Sequence, residues 1–148
     1  MQLTKALFAT ILAATSAAAA PTQTEVSMMV DVPQWTIEGV RRVCTDYDHV
    51  CTWTLGVNTH TAPTVWITHV VKSAGKASEA NGGPTNCGDF TVTSGWSGQF
   101  GPGNGFTTFS VVDNKHRYIT WPAYTDKQVE GGKVVHPNQS YGPASLPQ

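Results

Sequence analysis

The run CTWTLGVN, Cys51 to Asn58, constrains the fold more than any other stretch. Cys51, Trp53, Leu55 and Val57 occupy alternate positions, with threonines and glycine between them. Successive side chains on a strand point to opposite faces, so this order predicts a half-buried β-strand. TVWITHVVK repeats the theme, with Val65, Ile67, His69 and Val71 on one face and Trp66 and Val70 on the other. GDFTVTSGW gathers Phe90, Val92 and Trp96 on one face that Ser94 interrupts. GFTTFSVVD and HRYITWPAY follow, joined by the turn-forming Asp113-Asn114-Lys115. WTIEGVRRV, with a bulge expected at Gly39, and the short KVVHP complete the set. β-Branched and aromatic residues dominate all of these segments. The expectation is an all-β fold: a single-domain antiparallel sandwich or small β-barrel of six to seven short strands with little helix. Ser73 to Pro84 reads as a surface loop, and Thr125-Asp126-Lys127-Gln128 as the cap of one helical turn.

The first residues read as an address rather than as part of that domain. MQLTKALFATILAATSAAAA has Lys5 near its start, then an uncharged apolar run ending in small residues, the order of a secretory signal peptide. Pro21 and the polar PTQTE follow at once, so the run does not continue into a membrane span. Cleavage is expected after Ala19, because proline directly after the cleaved bond is poorly accepted. The predicted organisation is a signal peptide over 1–19, an N-terminal extension over 20–33, a β domain over 34–137 and a polar tail over 138–148. Without its leader the chain keeps 8 basic and 10 acidic residues, a formal charge of −2. That balance, with no basic cluster beyond Arg41-Arg42, argues against a nucleic-acid partner and against electrostatic membrane docking or insertion.

An exported chain is expected to form disulfides, and this one has three cysteines: Cys44, Cys51 and Cys87. CTDYDHVC resembles a turn closed at its base, which favours Cys44–Cys51. Cys87 is then either free and buried or the link in a disulfide-bonded dimer, and it remains an alternative partner for either of the others. His49, His60, His69, His116 and His136 form none of the spacings that hold zinc, and no cofactor or metal is implied. His69 lies on an inward strand face and reads as a hydrogen-bonded core histidine. The carboxylates Glu38, Asp89, Asp113 and Glu130 sit near strand ends or turns, with no spacing that singles out the facing pair a glycosidase needs.

The segment Thr93–Thr108, TSGWSGQFGPGNGFTT, is the least ordinary stretch. It runs from strand to strand and lacks the strand-to-helix context and GK[ST] that a phosphate loop requires. GWSGQ places Gly98 one position too early for a nucleophile elbow at Ser97. Pro102-Gly103-Asn104-Gly105 suits a turn, with glycine supplying positive φ. Trp96, Phe100, Asn104 and Phe106 around that turn form a candidate binding surface, since aromatics on rigid loops suit sugar rings and protein partners. Asn138-Gln139-Ser140 is an N-glycosylation sequon.

CTWTLGVN, the span VVKSAGKASEANGGPTNCGDFTVTSGWSGQFGPGNGFTTFSVVD and WPAYTDKQVEGGKVVHP together resemble a group of small secreted proteins of filamentous fungi. Some members of the group are elicitors that provoke a hypersensitive defence response in plants. The resemblance covers about Val43 to Pro137, and GWSGQFGPGNGFTT is its most distinctive piece. It implies a mostly β, barrel-like protein without a catalytic site, usually with a further cysteine in the region that is TVWITHVV here. This chain has none between Thr64 and Val71, so a Cys87 pairing with that region has no counterpart.

Two readings of function follow. The first is a secreted, extracellular effector or elicitor-like interaction protein, recognised at the plant surface by a protein and performing no catalysis. The second is a module binding cell-wall polysaccharide through the 93–108 aromatic loop, which should bind chitin or β-glucan and weaken on Trp96→Ala. A small hydrolase is the third.

Overall fold

The structure, a computed structural model, describes residues 30–147. The expected signal peptide and the extension up to residue 29 lie outside the described residues. Among the described residues ten strands run in the order β1 (Trp35–Cys44), β2 (Val50–Asn58), β3 (Val65–Lys72), β4 (Gly82–Cys87), β5 (Phe90–Ser97), β6 (Phe106–Asp113), β7 (Tyr118–Thr120), β8 (Ala123–Thr125), β9 (Gln139–Tyr141) and β10 (Ala144–Ser145). They form an antiparallel four-stranded sheet, β3-β2-β1-β9, and a second sheet, β10-β7-β6-β5-β4, with β8 pairing on β6. The two sheets face one another as a sandwich-like pair rather than a closed barrel. The one-turn helix α1 (Asp126–Val129) follows β8 and leads into a 3-10 turn at Glu130–Gly132, and another 3-10 turn at Ala77–Glu79 precedes β4. No helix among the described residues is long and apolar enough to cross a membrane.

The alternation that identifies the strands also builds the core. Trp53, Leu55 and Val57 of β2 and Ile67 and Val71 of β3 meet Phe90 and Val92 of β5 and Phe109 and Val111 of β6, all buried. Trp53 meets Phe109 edge to face with ring centres 4.9 Å apart, the arrangement that the aromatic quadrupole favours. Among the inward positions that break the apolar pattern, two on facing sheets break it together. His69 on β3 is fully buried, its Nε2 2.8 Å from Ser94 Oγ on β5 and its Nδ1 2.8 Å from Thr85 Oγ1 on β4. Ser94 therefore interrupts its apolar face to satisfy the histidine across the sandwich. Burial holds the imidazole below its ordinary pKa, so the neutral ring bridges the two hydroxyls.

More strands form than the six or seven legible in the sequence, for three physical reasons. Gly82–Cys87 looks like loop because of its glycines and Pro84, yet it forms an edge strand whose register shifts between Gly82 and Thr85. Proline is tolerated there because an edge position at a bulge does not need its missing N–H. HRYITWPAY divides into β7 and β8 around Trp121-Pro122. Within residues 138–148, β9 pairs with β1 and β10 with β7. KVVHP contributes only a single bridge, Arg41 to Val134, although Val135 N donates to Val40 O and the Val135 side chain is buried. The bulge expected at Gly39 is present: φ is +58° and the β1–β2 register shifts between Glu38 and Arg41. Thr125 caps α1 as expected, through a reciprocal box in which Gln128 N donates to Thr125 Oγ1 and Thr125 N donates to Gln128 Oε1.

Candidate functional site

The loop between β5 and β6 is two consecutive tight turns. Gly101 N donates to Gly98 O at 3.0 Å, and Asn104 N donates to Gly101 O at 3.1 Å. The second turn has Pro102 and then Gly103 at its centre, with Gly103 at φ +79°, a conformation that suits glycine at the third residue of a type II turn. It closes one residue earlier than the Pro102–Gly105 turn the sequence suggests. Asn104 braces the loop from within by donating from Nδ2 to Phe100 O at 3.2 Å.

The four candidate residues of this loop play different parts. Trp96 extends the inward face of β5 past the core, and its indole is half-buried against the loop that follows it. A Cβ at Gly98 would stand 2.5 Å from Trp96 Cη2, and one at Gly105 would stand 2.6 Å from Trp96 Cζ2. Both positions need glycine because the indole fills that space. Trp96 Nε1 donates to Asp126 Oδ2 at 2.9 Å, and the other carboxylate oxygen accepts from Arg42 Nη1 at 2.8 Å. Arg42 is almost wholly buried, with its guanidinium carbon 5.5 Å from the centre of the Trp53 ring and a further bond to Ser78 O. A chain of contacts thus ties the loop to the core: Trp96, Asp126, Arg42, Trp53.

Phe100 is the outward residue. It is 66% exposed at the tip of the first turn, and its ring stacks on Phe106 with centres 5.8 Å apart. A shallow cleft of about 340 Å³ lies beside the loop, lined by Glu79, Trp96, Gly98, Pro102 and Asp126 among others. The result is an aromatic presented on a braced tip above a small polar-edged hollow.

The cysteines and the remaining polar candidates lie elsewhere. Cys44 and Cys51 are directly opposed on β1 and β2 and form a disulfide, as the CTDYDHVC spacing suggests. Asp48, inside that closed turn, accepts from Ser78 N at 2.8 Å and from Ser78 Oγ, so it fastens the hairpin tip to the 3-10 turn. Cys87 is a free, half-buried thiol on β4, donating to Trp66 O at 3.6 Å. It therefore sits against the very segment, Thr64 to Val71, in which the resembling proteins usually carry a further cysteine. Asp113 accepts from Lys115 N and from His116 N and Nδ1, the last at 2.8 Å, an arrangement that shapes the β6–β7 turn. Glu38 accepts from Asn58 Nδ2 and Thr64 Oγ1, and Glu130 pairs at 4.0 Å with Lys133. Sequence reasoning passed over Asp126 and Arg42 as parts of the loop. Their partner is 30 residues away for Trp96 and 84 for Arg42, and no local pattern signals such a link.

The comparisons with known proteins agree with the resemblance read from the sequence. The family described as Effector TSP1 matches residues 36–146, which span every strand except the first residue of β1. The protein named Effector TSP1 from the fungus Hypocrea virens is 58% identical over 147 residues, covering 99% of this chain and 100% of that protein. The match thus takes in both sheets, the braced β5–β6 loop and the segments that anchor it. The chain belongs to the Effector TSP1 family.

Proposed function

We propose that this protein is a secreted fungal effector that is recognised at the plant surface and acts by being bound, not by catalysis. Family membership supports the effector role, and the leader-like first residues support export. The observation that carries the mode of action is Phe100. A large apolar side chain at 66% exposure, held on two hydrogen-bonded turns, offers contact area whose ordering is already complete before a partner arrives. Aromatic anchors of this kind supply much of the binding energy at protein interfaces. The test is infiltration of leaf tissue with purified folded protein and with the same preparation after heat denaturation. Folded protein is expected to give an oxidative burst or necrosis, and denatured protein to give neither. Equal activity of the two would mean a linear epitope and would remove any role for the fold.

A second reading rests on the stacked Phe100–Phe106 pair beside the loop cleft, which suits the flat face of a sugar ring. It predicts retention on insoluble chitin or β-glucan that weakens on Phe100→Ala. Trp96, clamped between two glycines and bonded to Asp126, would act in that reading as support for the platform.

A further inference from the structure

The outer face of the four-stranded sheet holds a second tryptophan and a sequon that converge on one residue, Gly39. Trp66 on β3 is 54% exposed and points away from the core. Its indole lies across β2 and reaches β1. A Cβ at Gly56, on β2, would stand 3.0 Å from Trp66 Cη2, and one at Gly39, on β1, would also stand 3.0 Å from it. The far edge of the indole, Cη2 and Cζ3, therefore meets both glycines, and about half of the side chain stays open to solvent. From the opposite side, β9 runs beside β1 with Ser140 opposite Thr36 and Gln139 opposite Ile37. Asn138 comes next and is exposed, and its Oδ1 accepts from Gly39 N at 3.1 Å. Joining the two contacts at Gly39 across its own bond angle puts Asn138 Oδ1 within roughly 9 Å of the indole edge.

Asn138 opens the sequon Asn138-Gln139-Ser140. The bond to Gly39 uses the carbonyl oxygen of the Asn138 side chain, so it aims the amide without occupying Nδ2, the atom that glycosylation modifies. We infer that Asn138 carries an N-linked oligosaccharide whose first N-acetylglucosamine packs its apolar C–H face on Trp66, in a seat cleared by Gly39 and Gly56. In the attachment step Nδ2 displaces the diphosphate of a lipid-linked oligosaccharide donor from C1 of the first sugar. The N–C1 bond forms, the C1–O bond to diphosphate breaks, and Nδ2 releases one proton. Gly39 and Gly56 then have a shared purpose: they lower the sheet surface so that a tryptophan can reach across β2 to the strand beside a glycosylated asparagine. The inference rests on the export reading above, since the donor is met only inside the secretory pathway.

The test expresses the chain in a secreting yeast twice, with its own residues 1–19 and with a heterologous leader in their place. Intact mass should show a hexosamine-containing adduct that disappears in Asn138→Gln. After enzymatic trimming to a single N-acetylglucosamine, NMR should find its ring protons shifted upfield by the indole. That shift should vanish in Trp66→Ala and shrink in Trp66→Phe, which serves if the alanine variant fails to fold. Complete removal of the sugar should lower the melting temperature by about 2–4 °C in the parent chain and by less than half of that in the Trp66 variants. A heterologous-leader protein without the adduct, or with an adduct unaffected by Asn138→Gln, overturns the site. Sugar signals identical in parent and Trp66 variants overturn the stacking. Retention of the native-leader chain inside cells, with a normal adduct on its counterpart, would defeat the export reading and with it glycosylation of the native chain, while the upfield-shifted sugar on the counterpart would still show that Asn138 and Trp66 form a seat for it.

Discussion

Two tryptophans lie over pairs of glycines in this molecule, and they come to different ends. Trp96 rests against Gly98 and Gly105, donates its N–H to Asp126, and through Arg42 is linked to the buried Trp53. Trp66 rests on Gly39 and Gly56 and keeps half of its surface open on the outer face of the other sheet. Both glycine pairs make room for a ring. A charged partner at the indole nitrogen then converts one ring into a structural strut, whereas the other remains a surface. The difference teaches that an aromatic in a glycine-rich segment is not thereby a contact residue. What surrounds its polar edge decides.

Breaking the strut should give the largest effect. Asp126→Ala strips a nearly buried arginine of its carboxylate and an indole of its acceptor, and should destabilise by about 3 kcal/mol in urea unfolding. A loss below about 1 kcal/mol would show that the chain from Trp96 to Trp53 is not a structural unit. Gly105→Ala comes next. Its methyl would meet Trp96 Cζ2 at 2.6 Å and Asp126 Oδ2 at 2.5 Å, and should cost about 2 kcal/mol through displacement of both. Gly56→Ala, the matching change on the open side, would bring a methyl to 2.9 Å from Thr64 Cγ2 and 3.0 Å from Trp66, and should cost about 1 kcal/mol or less, since both side chains are partly exposed and can give. Equal effects at Gly105 and Gly56 would erase the distinction between strut and surface.

A smaller effect tests the polar seam between the sheets. The buried His69 titrates below its ordinary range in the folded chain, so between that lowered value and 6.5 the unfolded chain binds the extra proton. Its contribution is present above about pH 6.5 and is lost as pH falls below it. Stability measured from pH 7 to 5 should therefore drop more steeply for the parent than for His69→Gln, and parallel profiles would contradict this. Smallest of all is the expectation for Cys87. Half-buried and bonded to the Trp66 carbonyl, it should leave the protein monomeric on a non-reducing gel, and a reducible dimer band would refute that.

The alternating strands were readable because period-two patterning reports directly on which face is buried, and β1, β2, β3, β5 and β6 follow it closely. β4 was hidden because Gly82, Gly83 and Pro84 are turn formers by local preference, and only the edge position lets them extend. β9 and β10 are too short to show a period. At the loop, glycine content and aromatic spacing were visible, and so was the turn. The role of Trp96 was not, because it depends on Asp126 and Arg42, which approach only when α1 packs beside β1, and with the indole turned to that partner Phe100 is left as the exposed ring.

The most direct test of the account compares dose–response curves in infiltrated leaves for the parent and Phe100→Ala. Removing an exposed ring should leave the melting temperature unchanged and shift the half-maximal dose upward by about tenfold, the signature of a lost interface anchor. Superimposable curves from two equally folded proteins would contradict recognition through this loop.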